Sequence, residues 1–246
     1  HTIEDYPIMH HLIVALTIAR VGEKAGEFTN AEIKSCLGAA LTMNISMLTL
    51  QAQLRLQIDP LTKEQREAIR QHPEQGASRL RLMGVTDERW LSIVANHHEL
   101  PNGEGYPRQI RTVEKITLLL GVCDSFNARL AQREYRDNFT AEEAIKELFS
   151  KADPQMCELI AVLLEELGIY PAGSLLQLHG NQIGCSLIRG QSATSPVVLV
   201  FKNSGQSPEK TLLVDTSKRE FSVRKALPRR EISQLPSLLE IISAIA

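Results

Sequence analysis

Three Thr-x-x-Glu/Gln boxes constrain this chain more than any other feature: Thr29-x-x-Glu32, Thr62-x-x-Gln65 and Thr140-x-x-Glu143. In such a box the Thr hydroxyl and the Glu or Gln side chain each satisfy one of the backbone N–H groups that a helix start leaves unpaired. Each box therefore announces a helix, and three in one region rarely coincide by chance. The pattern between them agrees. Leu12, Ala15, Leu16, Ala19 and Val21 fall at near-helical spacing within Ile8 to Lys24. Helices are expected from Thr29 toward Leu41, from Thr62 to about Gln71, and from Pro73, placed at a first helical position, to Met83. Further helices should run from a Thr86 cap to His97 or His98, from Val113 to about Gln132, from Ala141 to Phe149, and from Asp153-Pro154 to Gly168.

The pattern changes at Tyr170-Pro171-Ala172-Gly173. Short β-rich runs follow at Ser174–Leu178, Gln182–Ile188, Pro196–Phe201, Thr211–Val214 and Phe221–Val223, with turns at His179-Gly180-Asn181 and Asn203-Ser204-Gly205. Pro236 to Ile245 reads as a short helix. The expected fold class is mostly α: an all-helical domain over 1–168 and a small β-rich module with a terminal helix over 169–246.

Several function classes drop out on composition. Lys plus Arg is 27 against 29 Asp plus Glu, a formal charge of -2, so no basic excess advertises nucleic acid. The four cysteines are scattered without a CxxC, which excludes a disulfide scaffold or zinc finger and suits a reducing cytosol. The longest apolar stretch, Cys36 to Leu50, is too short and too polar to span a bilayer. The first residues are not a signal peptide, and the chain does not begin with Met, so a fragment or processed chain of cytoplasmic location is expected, with room for a sensor or membrane domain upstream.

Five of the seven histidines fall in three places: His10-His11, His72 and His97-His98. Neutral imidazole is the commonest metal ligand, and separate helices donating histidines to one point is how helical proteins build metal sites. Taken singly, His10 or His72 reads as an ordinary surface or capped histidine. The adjacent pair differs, because neighbouring side chains on a helix diverge by about 100°, so both can face one site only if the helix ends there. Asp124 sits in the apolar run Leu118-Leu119-Leu120-Gly121-Val122, where a carboxylate is costly to bury unless paired or metal-bound.

The stretch from His97 to Pro107, HHELPNGEGYP, resembles the signature HHExxDGxGYP of the HD-GYP family, with only the Asp departing, as Asn102. His72-Pro73-Glu74-Gln75-Gly76 resembles the family's HPxxG, Val122 to Ala128 its VADxFDA, and Arg133-Glu134-Tyr135-Arg136 its RPYR. The likeness covers about residues 8–226. It implies an HD-superfamily helical fold, a family of metal-dependent bacterial phosphodiesterases acting on cyclic di-GMP, metal ligation by His72, His97, His98, Asp124 and His10, and nucleotide or partner contacts from Gly105, Tyr106, Pro107, Arg108, Arg133 and Arg136.

The departure lies upstream. Aligned through Ala39-Ala40-Leu41 and Leu61-Thr62, the family's HDxGK falls on residues 43–47, placing Met43 at the His, Asn44 at the Asp and Met47 at the Lys. Two adjacent divalent cations repel strongly and need a carboxylate between them. Asn44 is neutral, and a Met thioether suits softer ions than Mn, Fe, Mg or Zn. The expectation is therefore at most one divalent transition metal per chain (Zn, Fe or Mn), or none, and no confident catalytic residue. The chain reads as a degenerate HD-GYP protein: an inactive receptor for cyclic di-GMP or a related nucleotide, or an interaction module for diguanylate cyclase domains or other signalling proteins. The alternative is a phosphohydrolase with residual activity from a mononuclear site. Glu99 is expected beside a histidine or in a salt bridge, and Trp90 in the core.

Overall fold

The computed structural model describes residues 5–131, 139–202, 212–228, 231, 232 and 235. Among them are eight α-helices: α1 (Asp5–Ala25), α2 (Asn30–Thr42), α3 (Leu48–Leu56), α4 (Lys63–Leu82), α5 (Glu88–Asn96), α6 (Lys115–Leu130), α7 (Ala141–Ser150) and α8 (Pro154–Leu167). Five strands follow: β1 (Leu175–Leu178), β2 (Ile183–Ile188), β3 (Val197–Lys202), β4 (Leu212–Asp215) and β5 (Val223–Leu227). The mostly α architecture with a small antiparallel C-terminal sheet is the one expected.

All three Thr boxes sit at helix starts. Thr29 accepts from the Glu32 N–H while Glu32 accepts from the Thr29 N–H, Thr62 and Gln65 repeat the exchange, and so do Thr140 and Glu143. Elsewhere the structure corrects the boundaries. The expected pair of helices meeting at Pro73 is one continuous helix, α4, with Pro73 inside it. The cap of α5 is Asp87, whose carboxylate accepts from the Trp90 N–H, and not Thr86. Helix α6 starts at Lys115, two residues later than read. Helix α3 was not foreseen, and none of its residues is buried. The buried face of α1 is also turned: Val14, Ile18 and Val21 are fully covered, whereas Leu12 and Leu16 are 45% and 67% exposed.

The chain divides into two compact units, His1–Asp137 with Glu147–Val162, and Asn138–Lys146 with Leu163–Ala246. In the first, α1 packs on α2 and α6, α2 on α5, and α4 on α5. Its core gathers Val14, Ile18, Cys36, Met43, Ile93, Leu119, Leu120 and Phe126. Two glycines permit the closest approaches near the later site. A Cβ on Gly121 would lie 2.6 Å from the His97 carbonyl oxygen, and one on Gly105 would lie 2.4 Å from the Leu100 nitrogen.

The second unit holds a sheet of strand order β4-β3-β2-β1-β5, antiparallel throughout, in which Cys185 pairs with Leu175 on one side and Leu199 on the other. Alternation sends Leu176, Leu178, Val198, Val200 and Val214 into one cluster, and Leu175, Phe201, Leu227 and Ile232 into another. The turn expected at 179–181 is a 3-10 turn with Gly180 and Asn181 at positive φ. Phe221 ends a second 3-10 turn, so β5 begins at Val223. Thr211, the turn at 203–205 and the helix read over 236–245 lie outside the described residues.

Candidate metal centre

Pro73 lacks an N–H, so it cannot make the helical bond to the carbonyl four residues earlier, that of Ile69. The preceding side chain takes its place: His72 Nδ1 donates to the Ile69 oxygen at 2.6 Å. Helix α5 ends at Asn96, so its last carbonyls must find partners outside the regular helical ladder. There His97 Nδ1 donates to the Val94 oxygen at 2.7 Å. A carbonyl can only accept, so in both rings the proton sits on Nδ1 and Nε2 carries a lone pair. Both rings are neutral at pH 7. Burial, then the neighbouring His97, pulls the His72 pKa down to about 3. Burial lowers His97 as well, against the opposing pull of Asp124.

The two bare nitrogens face each other, with Nε2 of His72 and Nε2 of His97 3.3 Å apart. Two lone pairs at that distance repel unless a cation sits between them. The edge of a tetrahedral site with metal–nitrogen bonds of ~2.0–2.1 Å is about 3.3–3.4 Å, so the spacing suits a shared ion. His98 completes the group. The helix end lets its ring lie 4.1 Å from that of His97, centroid to centroid, as the adjacent pair required. Burial and His97 hold its pKa well below the usual value. Ligand atoms of His72, His97 and His98 all lie within 4.8 Å of one another, and no other such group occurs among the described residues. The cluster can coordinate a single divalent ion. Histidines donating their second nitrogen to backbone carbonyls are the usual support of such ligands.

His10 and Asp124 form a second element beside the first. His10 Nε2 donates to Asp124 Oδ1 at 2.7 Å, and both residues are buried. Burial alone would raise the Asp124 carboxyl, but the His10 hydrogen bond, with the neighbouring imidazoles of His10, His98 and His97, overrides it and holds the group well below the usual carboxylate range. His10, His72, His98 and Asp124 line one cavity of about 520 Å³, together with Asn44, Met47 and Tyr106. Of the positions aligned with the family dipeptide, Asn44 reaches this cavity. Met43 is fully buried in the core and does not line it.

The expected loop residues separate. The Tyr106 ring stacks on His98 at 4.5 Å, and burial raises its phenol pKa so that it stays protonated. Gly105 lets the chain pass close to residues 98–100, where the Tyr106 N–H reaches the His98 oxygen. The carbonyl of Pro107 accepts from Arg70. Arg108 is turned to Glu74 at 3.3 Å and to Asn96, lining a separate groove. Arg133 and Arg136 lie outside the described residues. Among the described residues the Glu99 carboxylate is bonded to neither a histidine ring nor a side-chain cation: it accepts the N–H groups of Arg108 at 2.7 Å, Gln109 at 3.1 Å and Ile110 at 3.1 Å, tying down the chain after Pro107. Residues that the sequence did not point to, Tyr6 on α1 and Gln51 and Arg55 on α3, also line the cavity.

The profile of the HD domain family matches residues 16–156. A cyclic di-GMP phosphodiesterase of Pseudomonas aeruginosa is 27% identical over 207 residues, covering 81% of this chain and 49% of that protein. A cyclic di-GMP phosphodiesterase of Thermotoga maritima is 27% identical over 158 residues, 60% of this chain and 42% of that protein. The chain thus spans about half the length or less of these relatives. An HDG"Y"P protein of Bdellovibrio bacteriovorus shares the fold with a TM-score of 0.53 and 18% identity, over 64% of this chain and 51% of that one.

Proposed function

This chain belongs to the HD domain family, and on that premise we propose that it is a metal-dependent phosphohydrolase of cyclic di-GMP signalling that works slowly, from one metal held by His72, His97 and His98. The observation that carries this reading is the 3.3 Å approach of two imidazole nitrogens whose protons are both committed elsewhere. The relatives named as cyclic di-GMP phosphodiesterases support the substrate class.

A divalent ion in such a site supplies Lewis-acid polarisation of a phosphoryl oxygen and makes coordinated water more acidic. The chain's own groups do the rest. Asp124 is ionised, its Oδ1 is occupied by His10, and its Oδ2 is the acceptor left to orient a water proton. Its depressed pKa makes it a weak base, so its role is orientation more than proton abstraction. The protonated Tyr106 phenol is a donor for a phosphoryl oxygen. Asn44 and Met47 stand in the same cavity and offer neither a bridging carboxylate nor a cation. Loss of a single electrostatic element costs about 10²–10³ in rate, which is why the proposed activity is slow.

That same pair of residues favours a second reading, a receptor that binds the dinucleotide without cleaving it. Incubation with cyclic di-GMP and Mn²⁺, Fe²⁺ or Zn²⁺, with products followed by chromatography, separates the two. Slow multiple turnover to pGpG or GMP, abolished by His97→Ala, supports the hydrolase. Saturable binding with no product supports the receptor. Neither binding nor turnover would sink both.

A further inference from the structure

Helix α3 buries none of its residues, yet one face of it lines the cavity. Gln51 and Arg55 are four residues apart, hence neighbours on one side of that helix, and both reach the cavity wall. Two observations mark them. Gln51 Oε1 is buried without a hydrogen-bond partner among the described residues, which is costly for an acceptor unless a ligand donates to it. The Arg55 guanidinium lies over the Tyr6 ring, 4.9 Å from its centroid, and no carboxylate pairs with it among the described residues. Stacking on an aromatic face holds the planar fork in place while its N–H donors remain for something else.

We propose that Gln51 and Arg55, with Tyr6 beneath the latter, form a guanine-reading edge of the cavity. The inference rests on the cyclic dinucleotide reading above and adds base specificity to it. Guanine presents N1–H and N2–H donors next to the acceptors O6 and N7. An unsatisfied Oε1 beside a two-pronged donor is the complement of that order. Arg reads O6 and N7 of guanine in a bidentate fashion, whereas adenine sets an N6 donor where O6 would be, against the guanidinium. Gln51 then receives the hydrogen bond that its buried oxygen lacks, and a site built to pair such groups rejects a base that leaves them unpaired.

The test is equilibrium titration of the purified chain with cyclic di-GMP and with cyclic di-AMP. The wild type should favour the guanine dinucleotide by about tenfold or more. Arg55→Lys, which keeps the charge but loses the fork, and Gln51→Leu should each move the preference toward parity, with metal content unchanged and affinity for cyclic di-AMP little altered. Preference for guanine that survives both substitutions overturns the edge but leaves the hydrolase reading standing. So does equal weakening of both dinucleotides, which would make Arg55 a phosphate clamp, and so does a wild type without base preference. A wild type that binds neither dinucleotide overturns the edge and the function together.

Discussion

Pro73 acts through the hydrogen it does not have. An interior proline costs a helix about 3 kcal/mol relative to alanine, and here it frees the Ile69 carbonyl that fixes the tautomer of His72. Pro73→Ala should therefore leave the metal-free protein as stable or more stable in a thermal melt. It should weaken metal binding about tenfold or more in a chelator competition, because the restored N–H competes for that carbonyl. Unchanged or tighter binding would show that the proline matters only for the path of the helix. The same buried rings set the pH response. His72 and His11 are lowered to about 3 and 4, chiefly by burial, and His97 and His98 are lowered as well. A histidine with a depressed folded pKa binds fewer protons folded than unfolded, so its contribution is complete above the unfolded value of 6.5 and is lost on acidification toward the folded value. Asp124 is also depressed, but its contribution fades only below the ordinary carboxylate range. Urea titrations of metal-free protein should show stability falling from pH 7 to pH 5; constant or rising stability would contradict the neutral, buried cluster. At this scale the sequence showed which histidines matter. It could not show their tautomers, nor that Glu99 binds three backbone N–H groups, since those partners lie nine to eleven residues away with no side-chain signal.

Helix starts were legible where a box writes both halves of the cap, as at Thr29, Thr62 and Thr140. They were less so at α5, where Thr86 and Asp87 are adjacent candidates and the Asp87 carboxylate takes the Trp90 N–H. Pro73 read as a helix start because that is where proline most often sits. The side chain of His72 lets it sit mid-helix instead. Helix α3 escaped notice because its apolar residues, Leu48, Leu50, Ala52, Leu54 and Leu56, alternate at the strand period, and none of its residues is buried. The same property makes a prediction. An element with no buried residue opens at low free energy, so amides of residues 52–56 should exchange fastest among the helical amides of α2 to α6. If α3 carries the base-reading edge, cyclic di-GMP should slow that exchange selectively. Protection of α3 equal to that of α6 in the free protein would contradict the first claim.

At the scale of the whole molecule, the described residues that line the cavity all belong to the helical one of the two units. No described helix is long and apolar enough to cross a membrane. The change of pattern at Tyr170 was readable because periodicity moves from helical to alternating there. The meeting of α1, α4, α5 and α6 at one point was readable only through the resemblance, since Asp124 and His10 are 114 residues apart and no local pattern joins them. The central claim is that this meeting point holds one metal and not two. It rests on neutral Asn44 in the cavity and Met43 withdrawn into the core. The most direct test is elemental analysis of the chain saturated with Zn²⁺, Mn²⁺ or Fe²⁺ and freed of loose ions, alongside His72→Ala and His97→Ala. One equivalent per chain, lost in both variants, is the predicted result; two equivalents, or one that survives His97→Ala, would contradict it.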